Sequence, residues 1–370
     1  MCDYQNIIES NFDNTMFIAN NLSRRMTAYS MRGLYMKAVG YYESKAITEL
    51  DALVDLELPM PEASGHDILV EVKAVSVNPV DTKVRKGMSP EDGAARVLGW
   101  DASGVVKAVG QQASLFKIGD RVWYAGSLVR PGSNSEYQLV DERIVGHMPT
   151  TLGFAEAAAL PLTSLTAWEL LFDRLEVQGA LQGSSLLVIG ASGGVGSILV
   201  QLARQLTSLT IIATASRPES IAWLQKIGAH YVINHHQDMQ AQLKALGIPE
   251  VAYVISLNKT DEHFAQIVEV IQPQGKFALI DDPELFDFRK LKRKSVSLHW
   301  ELMFTRALFN THDLKRQHEI LNQVAQYVDQ GLIKTTINQQ LGRINAANLK
   351  QAHTMLERQQ VIGKIVLAGF

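Results

Sequence analysis

The chain has 370 residues, 46% of them apolar and 20% charged, with a formal net charge of −3; this balance excludes collagen-like and disordered chains, argues against a nucleic-acid partner, and leaves room for about two domains. Its single cysteine, Cys2, excludes an internal disulfide framework and a thiolate-rich structural zinc site, so a reducing, cytoplasmic setting is expected. No apolar run reaches the roughly 20 residues that cross a bilayer, and Asp3, Glu9 and Asp13 argue against a secretory signal.

Regular alternation begins only after Met36, and residues 1–35 are expected to lie outside the folded unit. From Met36 to about Thr150 the runs are strand-like, clearest at Asp67–Asn78, Gly104–Gly110 and Asp120–Gly126, and they predict a compact β barrel or sandwich. Phe154–Leu160 and Leu162–Phe172 read as helices separated by Pro161. Strands are then predicted at Leu186–Ile189, Thr210–Ala215, Tyr231–Asn234, Val251–Leu257, Lys276–Ile280 and Ser295–Leu302. Helices at Val195–Leu206, Pro218–Ile227, Met239–Leu246 and Asp261–Ile271 fall between them. That alternation with short connections is the pattern of a doubly wound parallel sheet. The chain closes with a helix from about Leu314 to Gln330 and strand-like pieces near Ile333–Ile337 and Lys364–Leu367. The basic run Arg289–Lys294 reads as a solvated face before a strand.

The chain is organised around the turn Gly190-Ala-Ser192-Gly193-Gly194-Val195-Gly196, where an apolar run stops and helical spacing begins. Glycines there let the backbone approach a ligand while the unpaired N–H groups and positive dipole end of the helix face it, an environment suited to a diphosphate. Ser192, Gly193, Gly194 and Val195 are therefore candidate cofactor contacts. The same residues satisfy the G-x-S-x-G elbow of serine hydrolases, which predicts a nucleophilic Ser192, but no HGGG-like oxyanion segment precedes it. In a dinucleotide-binding sheet a carboxylate ending the second strand selects NAD. Here that strand ends Thr214-Ala215-Ser216-Arg217, without an acid; Ser216 and Arg217 suit a 2′-phosphate, so NADPH is the expected cofactor. Because ligands sit at the carboxyl ends of parallel strands, Asn258 and Ile280 are expected on the nicotinamide side.

Four segments in order carry a resemblance: Asn78-Pro-Val-Asp81-Thr-Lys-Val-Arg85, Gly99-Trp-Asp101-Ala-Ser-Gly104, Ala157 to Trp168 including Pro161 and Thr166, and the glycine turn. Together they resemble the medium-chain dehydrogenase/reductase superfamily, within it the zeta-crystallin-like quinone oxidoreductases, and most closely a bacterial branch called zinc-type alcohol dehydrogenase-like. The resemblance implies an α/β chain with a GroES-like β-barrel catalytic domain at 36–159 and 306–370 and a Rossmann NADPH-binding domain at 160–305. It also implies a homodimer paired through the edge strand Ser295–Leu302. The catalytic zinc ligands of alcohol dehydrogenases align with Asn78, Trp100 and Leu162, none of which binds zinc; His235 and His236, adjacent on an expected strand end, would project apart. A metal-free enzyme is therefore expected. Without a Lewis acid, reduction of an electron-poor quinone or enone demands less than oxidation of an alcohol.

By the same resemblance, Asn78 and Asp81 border the substrate cleft, Thr166 meets the nicotinamide end, and His235 lies near the adenosine. Asn78 is read as a donor to the substrate oxygen and Asp81 as a group that orients its loop. The proton donor is left among Lys83, Tyr124 and water. Alternatives are a zinc-type carbonyl reductase and a non-enzymatic NADPH-binding protein, crystallin-like or RNA-binding.

Overall fold

The computed structural model describes residues 35–90, 93–359 and 361–370; residues 1–34, nearly all of the expected extension, lie outside the described residues. The first half forms antiparallel sheet around the strand Asp67–Val77. Along the larger sheet the order is Ile337–Gln340, Lys364–Ala368, Asp67–Val77, Ala102–Val109, Arg121–Tyr124 and Val145–His147, with Tyr137–Asp141 also pairing with Asp67–Val77. A smaller sheet joins Val54–Pro59, Tyr35–Tyr41 and Arg96–Val97. The C-terminal strand thus joins Ile337–Gln340 to a sheet otherwise built by the first half, with Ile365 opposite Val77. Leu98, Trp100, Val106, Trp123 and Tyr124 fill the interior and are fully buried.

The second sheet is wholly parallel, in the order Tyr231–Ile233, Thr210–Thr214, Ser185–Ile189, Val251–Ser256, Ile271–Leu279 and Ser297–Trp300. The order reverses between the strands at Ser185 and Val251, and a crevice opens at their carboxyl ends. Ser185–Ile189 is buried on both faces, as its unbroken apolar run requires. The helix Gly194–Leu206 buries Ile198, Leu199, Leu202 and Ala203 against the sheet.

Three helices escape the strand-dominated reading: Pro79–Gly87, Thr305–Phe309 and Ala346–Glu357. The first carries its own start signals, Asn78 before it, Pro79 in its first turn and Asp81 closing a capping box, but they sit among strands. The third is capped by Asn345, whose Oδ1 accepts from the Asn348 N–H at 2.8 Å. The terminal strand expected near Ile333–Ile337 lies at Ile337–Gln340. Pro161 begins the helix Pro161–Trp168, which continues as a π-helix over Glu169–Arg174. The π segment buries Glu169 beside Glu301, where the chain leaves the parallel sheet; Arg306 lies 2.6 Å from Glu169 and Arg174 2.7 Å from Glu301. Burial, reinforced by the Glu301 carboxylate, pushes the Glu169 carboxyl above the usual carboxylate range. The basic run is less free than expected: Lys294 donates to the carbonyls of Glu269 and Ile271, and Arg289 pairs with Asp287.

Candidate functional site

A cleft of about 890 Å³ lies between the two sheets. The glycine turn forms one end. Gly190 has φ +77°, and a Cβ there would come 2.5 Å from Asn258 Oδ1, while a Cβ on Gly196 would come 2.3 Å from the Ala191 carbonyl oxygen. Both positions exclude a side chain, so the helix N-terminus stays open to the cleft. Ser192, Gly193, Gly194 and Val195 all line it.

Ser216 and Arg217 follow the second parallel strand and also line the cleft, and Arg217 is the N-cap of the helix Pro218–Ile227. Its side chain is 40% exposed, with Nε 3.5 Å from Glu219, a loose surface pair that leaves the guanidinium available. The two histidines do not project apart. The strand ends at Ile233, the Asn234 side chain accepts from the His236 N–H at 2.9 Å, and the rings of His235 and His236 pack with centroids 4.3 Å apart. His263 adds a third ring, 5.5 Å from His235. Burial, then the neighbouring His236 and His263, hold His235 down to about 4. It is neutral at physiological pH, and its buried Nδ1 has no partner among the described residues.

Asn258 and Ile280 line the opposite side, where the loops after two parallel strands are tied together: the Thr260 N–H donates to Asp281 at 2.8 Å. Thr166 also lines the cleft and donates to the Leu162 carbonyl at 2.9 Å. At the mouth, Lys83 of the first helix reaches Asp282 of the parallel-sheet half at 2.6 Å.

At the floor the structure revises three expectations. Asn78 lines the cleft but is 2% exposed, and its amide is engaged internally: Nδ2 donates to Asp101 at 3.0 Å and Oδ1 accepts from Lys364. It is therefore not a free donor to a substrate oxygen. Asp81 does not line the cleft; its carboxylate accepts from the Asn78 N–H at 2.8 Å and closes the helix cap. Burial pushes its carboxyl up to about 7. Tyr124 is enclosed in the barrel, away from the cleft, and its hydroxyl has no partner among the described residues. Burial drives it far above the usual phenol range, so the hydroxyl stays protonated, and its enclosure keeps that proton from an acceptor in the cleft.

Lys364, which no sequence motif marks, and Asp101, which the sequence marks only as part of its segment, complete the floor. Lys364 Nζ lies 2.9 Å from Asp101 Oδ2, and both side chains are almost wholly buried. Burial raises the Asp101 carboxyl and the Lys364 charge opposes that. The groups facing the carboxyl, Lys364 Nζ, Asn78 Nδ2 and the Leu162 N–H, are donors. A protonated carboxyl would find no acceptor among them, so the ionised form fits the site.

Two family profiles match the chain, the alcohol dehydrogenase GroES-like domain over residues 64–168 and the zinc-binding dehydrogenase over residues 227–367. A zinc-type alcohol dehydrogenase-like protein of Staphylococcus epidermidis is 40% identical over 336 residues, covering 90% of this chain and 99% of the relative. Human quinone oxidoreductase is 36% identical over 203 residues, covering 55% of this chain and 59% of that protein. A solved structure from Rhizobium etli CFN 42, labelled a zinc-dependent alcohol dehydrogenase protein, is 55% identical, covers 91% of this chain and 98% of its own, and superposes with a TM-score of 0.89. Fold and cleft define a two-domain, nucleotide-binding oxidoreductase with a GroES-like half and a Rossmann-like half. The chain belongs to the medium-chain dehydrogenase/reductase superfamily, and the serine hydrolase alternative is set aside.

The zinc in the relatives' names does not fit this site. Asn78, Trp100 and Leu162 offer an amide, an indole already donating to the Ser127 carbonyl at 3.1 Å, and an alkyl group. Among the described residues no three His, Cys, Asp or Glu side chains converge to hold a metal ion, and the ammonium of Lys364 lies among those aligned positions. No helix among the described residues is long and apolar enough to cross a membrane.

Proposed function

We propose that this protein transfers hydride from NADPH to an electron-poor acceptor, a quinone or conjugated enone, without catalytic zinc. The observation that carries the reading is the end of the second parallel strand, where Ser216 and Arg217 face the cleft in place of an acid. A carboxylate there would repel a 2′-phosphate, whereas an available guanidinium binds one. Ser192, Gly193, Gly194 and Val195 would hold the diphosphate, and the neutral His235 would lie against the adenosine. Asn258, Ile280 and Thr166 would border the nicotinamide. When bound, the cofactor supplies the hydride and the protein supplies its placement.

The acceptor would lie over the floor formed by Asn78, Leu162 and Lys364, flanked by Met303 and Phe304. Such an acceptor needs no deprotonated hydroxyl and hence no metal to lower a pKa. With Tyr124 enclosed, Lys83 and water at the mouth remain as proton sources. The proposed domains are 36–159 with 306–370 and 160–305. A homodimer would pair through the edge strand Ser297–Trp300, where Trp300 is exposed.

The test is steady-state oxidation of NADPH and NADH with 9,10-phenanthrenequinone and with simple enones. The reading expects turnover with at least one acceptor and preference for NADPH. Preference for NADH, or no turnover with any acceptor, would overturn it.

A further inference from the structure

We infer that Lys364 is the built-in cation of the acceptor site, a positioning residue whose ammonium stands among the aligned zinc-ligand positions and orders the cleft floor. This rests on the reductase reading above. The ammonium donates to Asn78 Oδ1, to Asp101 Oδ2 at 2.9 Å and to the Val77 carbonyl at 3.3 Å. Asp101 in turn accepts from the Leu162 N–H at 2.8 Å, and Asn78 Nδ2 lies 3.4 Å from the Trp100 carbonyl. Two of the aligned positions, Asn78 and Leu162, therefore bond the ion pair directly, and the third, Trp100, reaches it through Asn78.

The pair has a direction. Lys364 and Asn78 line the cleft and Asp101 does not, so the positive end faces the acceptor and the negative end faces the barrel. Negative charge developing on an acceptor oxygen would be stabilised by a dipole fixed before the reaction begins. The same residue joins the two halves of the cleft. A Cβ added to Gly194 would come 2.8 Å from Lys364 Cδ, so the lysine stem lies against the glycine turn, and the Gly363 N–H donates to the Ser192 carbonyl at 2.9 Å. The ammonium is thus held in fixed relation to the proposed diphosphate site.

The experiment compares wild type with the double variant Lys364→Met/Asp101→Asn, which removes both charges and keeps the unbranched stem. NADPH affinity is read by fluorescence and hydride transfer by stopped flow, with 9,10-phenanthrenequinone and with 2-cyclohexenone. Affinity should stay within about threefold, while transfer to the enone slows about thirtyfold to a hundredfold and transfer to the more electrophilic quinone by much less. Equal slowing with both acceptors would indicate only a structural role and overturn the inference, as would an unchanged enone rate. A wild type that reduces neither acceptor would sink the functional reading and this inference together; a competent wild type with an equally competent variant would sink this inference alone. As a second arm, Lys364→Cys treated with 2-bromoethylamine rebuilds a lysine-like ammonium, checked by mass, the only native cysteine being Cys2. The rebuilt charge should raise the enone rate at least about tenfold over the untreated variant; complete modification without recovery would contradict the assignment.

Discussion

At its phosphate end the cleft presents backbone and small residues: Ser192, Gly193 and Gly194 in front of a helix N-terminus, with one half-exposed arginine beyond them. Its floor is the opposite: Asn78 and Lys364, backed by Asp101 and by Asp81 behind them, form a buried polar set whose groups are largely engaged with one another. The first surface leaves donors open for a ligand that arrives; the second is satisfied internally and orders the site before anything binds. Substitutions at the phosphate end should therefore change cofactor affinity with little effect on folding. Those at the floor should change folding and rate with little effect on cofactor affinity.

The largest expected effect is at the floor. Lys364→Met alone leaves Asp101 buried without its counter-ion and should cost about 3–5 kcal/mol of stability in urea unfolding, most of it regained by adding Asp101→Asn. A single variant as stable as wild type would show that Asp101 is not ionised. Asp81 provides a second test. Its folded pKa of about 7 lies above the usual 3.8, so the fold favours the protonated form, and the Asp81 contribution to stability falls as pH rises from about 4 through about 7. Acting alone, that shift would amount to up to about 4 kcal/mol. Asp81→Asn should flatten this part of the stability profile, and an unchanged slope would remove Asp81 as its source.

At the phosphate end, Arg217→Ala should raise the dissociation constant for NADPH roughly tenfold to a hundredfold, about 1.4–2.7 kcal/mol, and leave NADH nearly unchanged. Equal losses for both cofactors would mean that Arg217 does not read the 2′-phosphate. The smallest effect belongs to the mouth. Lys83 and Asp282 are both exposed, so Lys83→Ala should change stability by less than about 1 kcal/mol, with the difference shrinking in salt. A larger loss would make that bridge a true fastener between the halves.

The same contrast explains what was legible in the sequence. The parallel sheet and the glycine turn rest on local patterns: an apolar run, a glycine cluster and helical spacing from Val195. The capping box at Asn78 and Asp81 was legible as spacing, yet its helix was missed because strands surround it. The floor depends on partners 263 and 286 residues apart in sequence, Lys364 with Asp101 and with Asn78, and no local period marks them. A lone lysine in the apolar run Ile362 to Leu367 was the one available signal. Tyr124 was misplaced for a related reason: alternation gives a strand residue's side of the sheet, but not whether that side meets a cleft or a closed core.

The most direct test of hydride transfer over a lysine-based floor is the rate of NADPH oxidation with 9,10-phenanthrenequinone, measured on protein dialysed against chelator until no zinc is detectable by mass spectrometry. The account predicts the full rate, unchanged when zinc is returned. Activity that vanishes with the metal and returns in proportion to one zinc ion per chain would contradict it.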